Sequence, residues 1–229
     1  EERSENKKAA IVKAYKTLKK SSTDEIITQR EALGEKVYLV PIGGHCSEGV
    51  MGYFDCVKEI LDQSNELGID FDNVVVGNGS GGTYAGLLLG KEFYKAPFKV
   101  LASNISPKPE REMRDLVDFC NKTSDLYEMG VKIDFSDLIF SNDYVGDGYN
   151  VPDENTRSVI QRLATSEGIF LDPCYTGKSF SGLLGFIEQG LIKKGEKTLF
   201  IHTGGLPGIW TEEHEEGFNE DLWKDIKIF

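Results

Sequence analysis

Val74-Val75-Val76-Gly77-Asn78-Gly79-Ser80-Gly81-Gly82-Thr83-Tyr84-Ala85-Gly86 is the stretch that decides the fold. Three β-branched residues run into a segment too rich in glycine to continue as strand, and Tyr84 to Tyr94 then reads as helix, so the pattern predicts a strand, a turn and a helix. Such a corner binds anions. Glycine lets the backbone approach a ligand, the first amides of a helix have no internal partner, and the helix dipole adds partial positive charge there. Ser80 and Thr83 add hydroxyl donors. The alternative is a tight loop whose glycines serve only packing, but five glycines in the ten residues 77–86 exceed what a turn needs.

The spacing Gly77-x-Gly79-x-x-Gly82 formally matches the dinucleotide fingerprint. That fingerprint also wants an acidic residue at the end of the next strand, about twenty residues on, to hold a ribose hydroxyl. Here the next predicted strand, Lys99 to Ala102, runs into Ser103-Asn104 with no carboxylate. The ATP-type loop fails as well, because no Gly-Lys-Ser/Thr follows the glycines. A ligand with one phosphate and no ribose remains.

The chain has 229 residues, enough for one sizeable domain or two small ones. Its 26 Lys and Arg against 38 Asp and Glu give a net charge of −12, which argues against nucleic acid or an anionic membrane as partner. No apolar run reaches the length of a membrane span, and Glu1 to Glu5 has no signal-peptide core. Cys46, Cys56, Cys120 and Cys174 are scattered and form no metal-ligand spacing with the histidines, so no metal is expected and a reducing cytoplasm fits.

Around the glycine corner, strand and helix alternate. Residues 6 to 33 read as two helical pieces broken near Lys20-Ser21-Ser22-Thr23, with Lys7, Lys8, Lys13, Lys16, Lys19 and Lys20 making a solvated basic face. Val37 to Pro41 reads as a strand, Gly49 to Leu67 as a helix, Pro109 to Met129 as a helix, Gly168 to Pro173 as a short buried strand, and Thr198 to Ile201 as a strand. The acidic tail from Thr211 reads as a solvated segment. Glycine turns after the strands indicate a mostly parallel sheet with helices on both faces. Ligands of such sheets sit at the carboxyl ends of the strands. The loops starting at Gly43, Gly77, Tyr175 and Thr203 are therefore expected to converge on one cleft, with the Gly43 and Gly44 amides as candidates for a ligand carboxylate or for a simple turn.

Five motifs occur in order: Pro41-Ile42-Gly43-Gly44, Gly79 to Gly86, Asp143-Tyr144-Val145-Gly146-Asp147-Gly148-Tyr149, Asp172-Pro173-Cys174-Tyr175-Thr176-Gly177-Lys178, and His202-Thr203-Gly204-Gly205. In this order they resemble the pyridoxal-phosphate enzymes that include D-cysteine desulfhydrase and aminocyclopropane-carboxylate deaminase, of the tryptophan-synthase β-like fold. The resemblance covers roughly residues 37 to 210. It implies that Gly79, Ser80, Gly81, Gly82 and Thr83 hold the phosphate of pyridoxal 5'-phosphate, or phosphate or sulfate in its place. It implies that Tyr175 acts at the cofactor ring near the substrate, that Thr176, Thr203 and Gly204 bind the cofactor with the two threonines near the pyridine nitrogen, and that Gly43 and Gly44 meet the substrate. A neutral hydroxyl at that nitrogen weakens the electron sink, which suits β-elimination. The implied reaction is α,β-elimination from a small D-amino acid, D-cysteine first, to pyruvate, ammonia and sulfide, by a cytoplasmic homodimer. Thr176 favours the desulfhydrase over the deaminase, which is expected to carry Glu after that tyrosine.

The family's Gly-Gly-Asn-Lys-type motif, which carries the Schiff-base lysine, does not occur in this sequence, nor does its Ser-Asn-His-type loop, and His45 stands where the family has Ser. Lys178 is not the family's Schiff-base position. The expectation is a C-terminal portion of a longer enzyme, inactive alone, in which residues 37–229 form most of the larger cofactor-binding α/β domain and residues 1–36 form an unplaced helical segment. A non-catalytic protein that keeps only the anion-binding cleft is the alternative.

Overall fold

The computed structural model describes residues 22–212 and 214. Two compact units divide between Pro41 and Ile42. In the first, residues 22–32 are helical (α1), and Arg30 pairs with Glu35 just past the helix end at 3.2 Å. The expected helical piece before Ser22, with its lysine face, lies outside the described residues. The expected strand at Val37 to Pro41 is not one: the segment is coil, with Tyr38, Leu39 and Val40 exposed by 72%, 55% and 66%. Apolar residues alone do not make a strand, whose N–H and C=O groups must pair with a neighbour. No strand among the described residues pairs with this segment.

The second unit holds a four-stranded parallel sheet: β1 (Asn73–Asn78), β2 (Lys99–Asn104), β3 (Ile139–Ser141) and β4 (Thr198–Phe200), in the order β3-β2-β1-β4. Around it run α2 (Ser47–Leu67), α3 (Gly82–Tyr94), α4 (Glu110–Leu126), α5 (Glu154–Glu167) and α6 (Thr176–Glu188). β1 is apolar on both faces, as the central strand of a covered parallel sheet should be. Val74 and Val76, with Val100 and Ala102 of β2, pack against α2, α3 and α4, while Val75 and Leu101 pack against Leu183 and Phe186 of α6. Helices therefore cover both faces. α2 and α3 cross closely because α3 carries glycine at the contact, where a Cβ on Gly86 would stand 2.6 Å from the Val50 carbonyl oxygen. Tyr84, fully buried on α3, donates to the Ile139 carbonyl at 3.1 Å and accepts from the Ile139 amide at 2.9 Å, which fixes that helix to β3.

The chain steps outward from β1 to β2 to β3 and then returns to place β4 on the other side of β1. The direction reverses between β1 and β4, and the crevice at the carboxyl ends of two such strands is where this class of sheet binds ligands. The loops that follow those two strands are Gly79–Gly81 and Ile201–Gly205.

Two elements differ from expectation. β3, Ile139–Ser141, lies where no strand is expected from the sequence. Gly168 to Pro173, expected as a strand, is a loop: Gly168 ends α5 in the left-handed region with φ 68°, Ile169 and Phe170 are half-exposed, and Leu171, Asp172 and Pro173 are buried. Asp172 side-chain hydrogen bonds hold the buried part in place of a strand ladder.

Candidate functional site

The glycine loop has the geometry of an anion cradle. Gly81 is the N-cap of α3 with φ 99°, a conformation open to glycine, and no side chain caps the helix there. The first amides of a helix have no intrahelical partners, so the donors of Gly82 and Thr83 are left to a ligand. Gly79 is equally restricted by space, because a Cβ on it would lie 3.2 Å from Ile105 Cδ1 and 3.8 Å from Tyr175 Cε1. The loop can thus approach a bound group closely.

The expected convergence of loops holds at several contacts. A Cβ on Gly43 would stand 2.7 Å from Ser80 Oγ, so the turn at Ile42–Gly44 touches the glycine loop. Gly44 is in the left-handed region too, with its carbonyl accepting from the Cys46 amide at 2.8 Å. Tyr175, 38% exposed at the start of α6, flanks Gly79. On the β4 side, Thr203 is exposed, the Gly204 amide donates to His202 Nδ1 at 3.2 Å, and a Cβ on Gly205 would collide with Asp172.

Asp172 organises this half of the site. Its carboxylate accepts from the amides of Cys174, Tyr175 and Thr176 at 2.9, 2.8 and 2.7 Å and from the Thr176 hydroxyl at 2.6 Å. The carboxylate thereby takes over amides that the start of α6 would leave unpaired and sets the position of Tyr175. The same geometry engages Thr176. Its hydroxyl gives its one proton to Asp172, accepts from the Asp172 amide at 2.8 Å, and is 1% exposed, so it has no donor left for a ring nitrogen.

Lys178 is fully buried one turn further along α6, with Nζ donating to the carbonyls of Val145, at 2.7 Å, and Gly148. Burial lowers its pKa. The amine is committed to the loop that carries Tyr149. Lys178→Met should therefore release that loop and lower stability by about 1–3 kcal/mol by leaving the buried Val145 carbonyl and the part-buried Gly148 carbonyl without this donor, read as a shift of the urea midpoint. An unchanged midpoint would show that the lysine holds nothing.

The sequence did not single out Tyr149, which the fold sets against Tyr175. Its hydroxyl is hydrogen-bonded to that of Tyr175, with ring centroids 5.9 Å apart and planes at 81°. The bond to Tyr175 and burial push the Tyr149 pKa up, so Tyr149 keeps its proton and the two hydroxyls share a hydrogen bond at the edge of the cleft. The motif Asp143 to Tyr149 was visible in the sequence, but no local signal joins two tyrosines 26 residues apart.

Among the described residues no group of His, Cys, Asp and Glu is placed to hold a metal, and no helix is long and apolar enough to cross a membrane. A family model described as pyridoxal-phosphate dependent enzyme matches residues 8–204. The D-cysteine desulfhydrase of Klebsiella pneumoniae (strain 342) is 34% identical over 187 residues, 82% of this chain and 56% of that protein. The 1-aminocyclopropane-1-carboxylate deaminase of Methylobacterium sp. (strain 4-46) is 31% identical over 191 residues, 83% of this chain and 57% of that protein. The crystal structure of an ACC deaminase homologue superposes with a TM-score of 0.75 at 33% identity, covering 88% of this chain and 59% of that one. The chain thus spans a little over half the length of the relatives it matches.

Proposed function

The chain belongs to the family of pyridoxal-phosphate dependent enzymes, and from that premise we propose that it is the phosphate-holding portion of a lyase that eliminates the β-substituent of a small D-amino acid, D-cysteine first. The observation that carries the reading is the uncapped, glycine-lined start of α3 with Tyr175 beside it. Pyridoxal phosphate, when bound, supplies the electron sink that allows a Cα–H bond to break.

The chain's own residues then have separate tasks. The amides of Gly79 to Thr83 hold the phosphate, and the helix dipole favours its charge. Tyr175 moves a proton at the substrate or its leaving group, and Tyr149 orients the Tyr175 hydroxyl through the hydrogen bond they share. With Thr176 committed to Asp172, Thr203 is the hydroxyl proposed at the ring nitrogen, and Gly43 and Gly44 are proposed to meet the substrate carboxylate. Assembly as a homodimer is proposed from the family resemblance.

The Schiff-base lysine is proposed to lie outside these 229 residues, and the committed amine of Lys178 supports this. Two measurements test the reading. The protein made from its natural reading frame should release pyruvate and sulfide from D-cysteine, and a cofactor-loaded protein that turns over neither D-cysteine nor 1-aminocyclopropane-carboxylate would leave only the non-catalytic, phosphate-binding alternative. The 229-residue chain, incubated with pyridoxal phosphate and reduced with borohydride, should show no stoichiometrically labelled lysine by mass spectrometry. Full labelling of Lys178 with pyruvate release would contradict the assignment.

A further inference from the structure

Between the start of α3 and the first turns of α4 lies a cavity of about 160 Å³ lined by His45, Asn78, Ser80, Lys108, Glu112 and Asp115. A single water needs only roughly 10–15 Å³ of such space, so the cavity takes several waters or one small organic molecule. Ser80 and Gly81 of the glycine loop line it, and Tyr175 does not. A Cβ on Gly79 points at Ile105 and Tyr175, whereas a Cβ on Gly81 points at Leu116 and His45.

Two buried polar atoms that line it, Asn78 Oδ1 and His45 Nδ1, have no partner among the described residues. Hydrogen-bond logic fixes the orientation of Asn78. The Lys108 amide donates to Asn142 Oδ1 and Asn142 Nδ2 donates to the Lys108 carbonyl, both at 2.9 Å, which settles the oxygen end of Asn142. Asn104 must then donate to Asn142 Oδ1, at 2.9 Å, and turn its own oxygen to Asn78, whose Nδ2 donates to it at 2.7 Å. The Asn78 oxygen is left over, in a residue 1% exposed. An amide oxygen only accepts, so it asks for a donor, which a fully ionised phosphate lacks. The phosphate cradle and this cavity therefore want different chemistry.

The rim carries both signs of charge. Lys108 Nζ stands 3.6 Å from Glu112 Oε2, a long pair whose carboxylate is 56% exposed, with Asp115 nearby. His45 stacks on Phe119 with centroids 4.2 Å apart, and burial together with Lys108 lowers its pKa, which keeps the ring uncharged at neutral pH. We propose that this cavity binds a small zwitterionic amino acid, whose ammonium group donates to Asn78 Oδ1 and faces Glu112 and Asp115 while its carboxylate faces Lys108. The site stands whether or not the elimination reaction is the right one.

Calorimetric titration of the 229-residue chain with glycine tests this. One saturable site is expected, with acetate and methylammonium each binding at least about tenfold more weakly, since each carries one of the two charges. Lys108→Met and Glu112→Gln, both at the rim, should each weaken glycine binding by about tenfold, and Asn78→Ser should do at least as much. Tyr175→Phe should leave it unchanged, which separates this cavity from the substrate position of the proposed reaction. If Asn78→Ser does not fold, the two rim variants decide. Absence of saturable binding, a cavity holding only water in crystals grown with glycine, or loss of binding in Tyr175→Phe but not in the rim variants would overturn the proposal.

Discussion

Tyr175→Phe should lower kcat on D-cysteine by roughly 10²- to 10⁴-fold, the range a positioned acid or base contributes, while cofactor affinity stays nearly unchanged. The expectation rests on the hydroxyl pair. Tyr149 and Tyr175 share a hydrogen bond through their hydroxyls, so deleting the Tyr175 oxygen removes the proposed proton-transfer group and leaves the ring, and the Asp172 bond to the backbone at 175, in place. A loss confined to kcat marks an interaction made only in the transition state. Tyr149→Phe, which removes only the orienting hydroxyl, should cost less than Tyr175→Phe. If Tyr175→Phe lowers cofactor retention and turnover together, Tyr175 is a packing residue and the proton-transfer role is wrong.

Gly81→Val should weaken pyridoxal phosphate binding by about ten- to hundredfold, corresponding to about 1–3 kcal/mol of backbone strain. A side chain at φ 99° is strained in any surroundings, and here its Cβ would also stand 2.8 Å from Leu116 Cδ1. The loop must shift, and with it the amides that hold the phosphate. Melting temperature separates this from a general loss of fold, since a variant that melts near the wild-type temperature but binds poorly has lost the cradle alone. Unchanged affinity by fluorescence titration would remove Gly81 from the site.

How far the sequence could be read depended on whether the deciding interaction was local. The glycine corner is a local signal: β-branched residues, then glycines, then a helical run, and the structure places β1, the loop and α3 there. Partners across the sheet are not local. Val37 to Val40 has the composition of a strand, yet strand formation depends on a neighbour that composition does not reveal, and the segment is coil. β3 is three residues long, Ile139-Phe140-Ser141, and is held by β2 and the Tyr84 hydroxyl, neither near it in sequence. The environment of Thr176 is likewise set by the folded loop. A motif shows that a hydroxyl exists, and only the folded loop shows that Asp172 has taken its proton.

The central claim is that the start of α3 holds the cofactor's phosphate, and a crystal structure of the chain with pyridoxal phosphate tests it most directly. The account predicts phosphate oxygens within about 2.7–3.2 Å of backbone nitrogens in Gly79 to Thr83, with the ring directed toward Tyr175. Phosphate density elsewhere on the chain, with the glycine loop empty or collapsed, would contradict it.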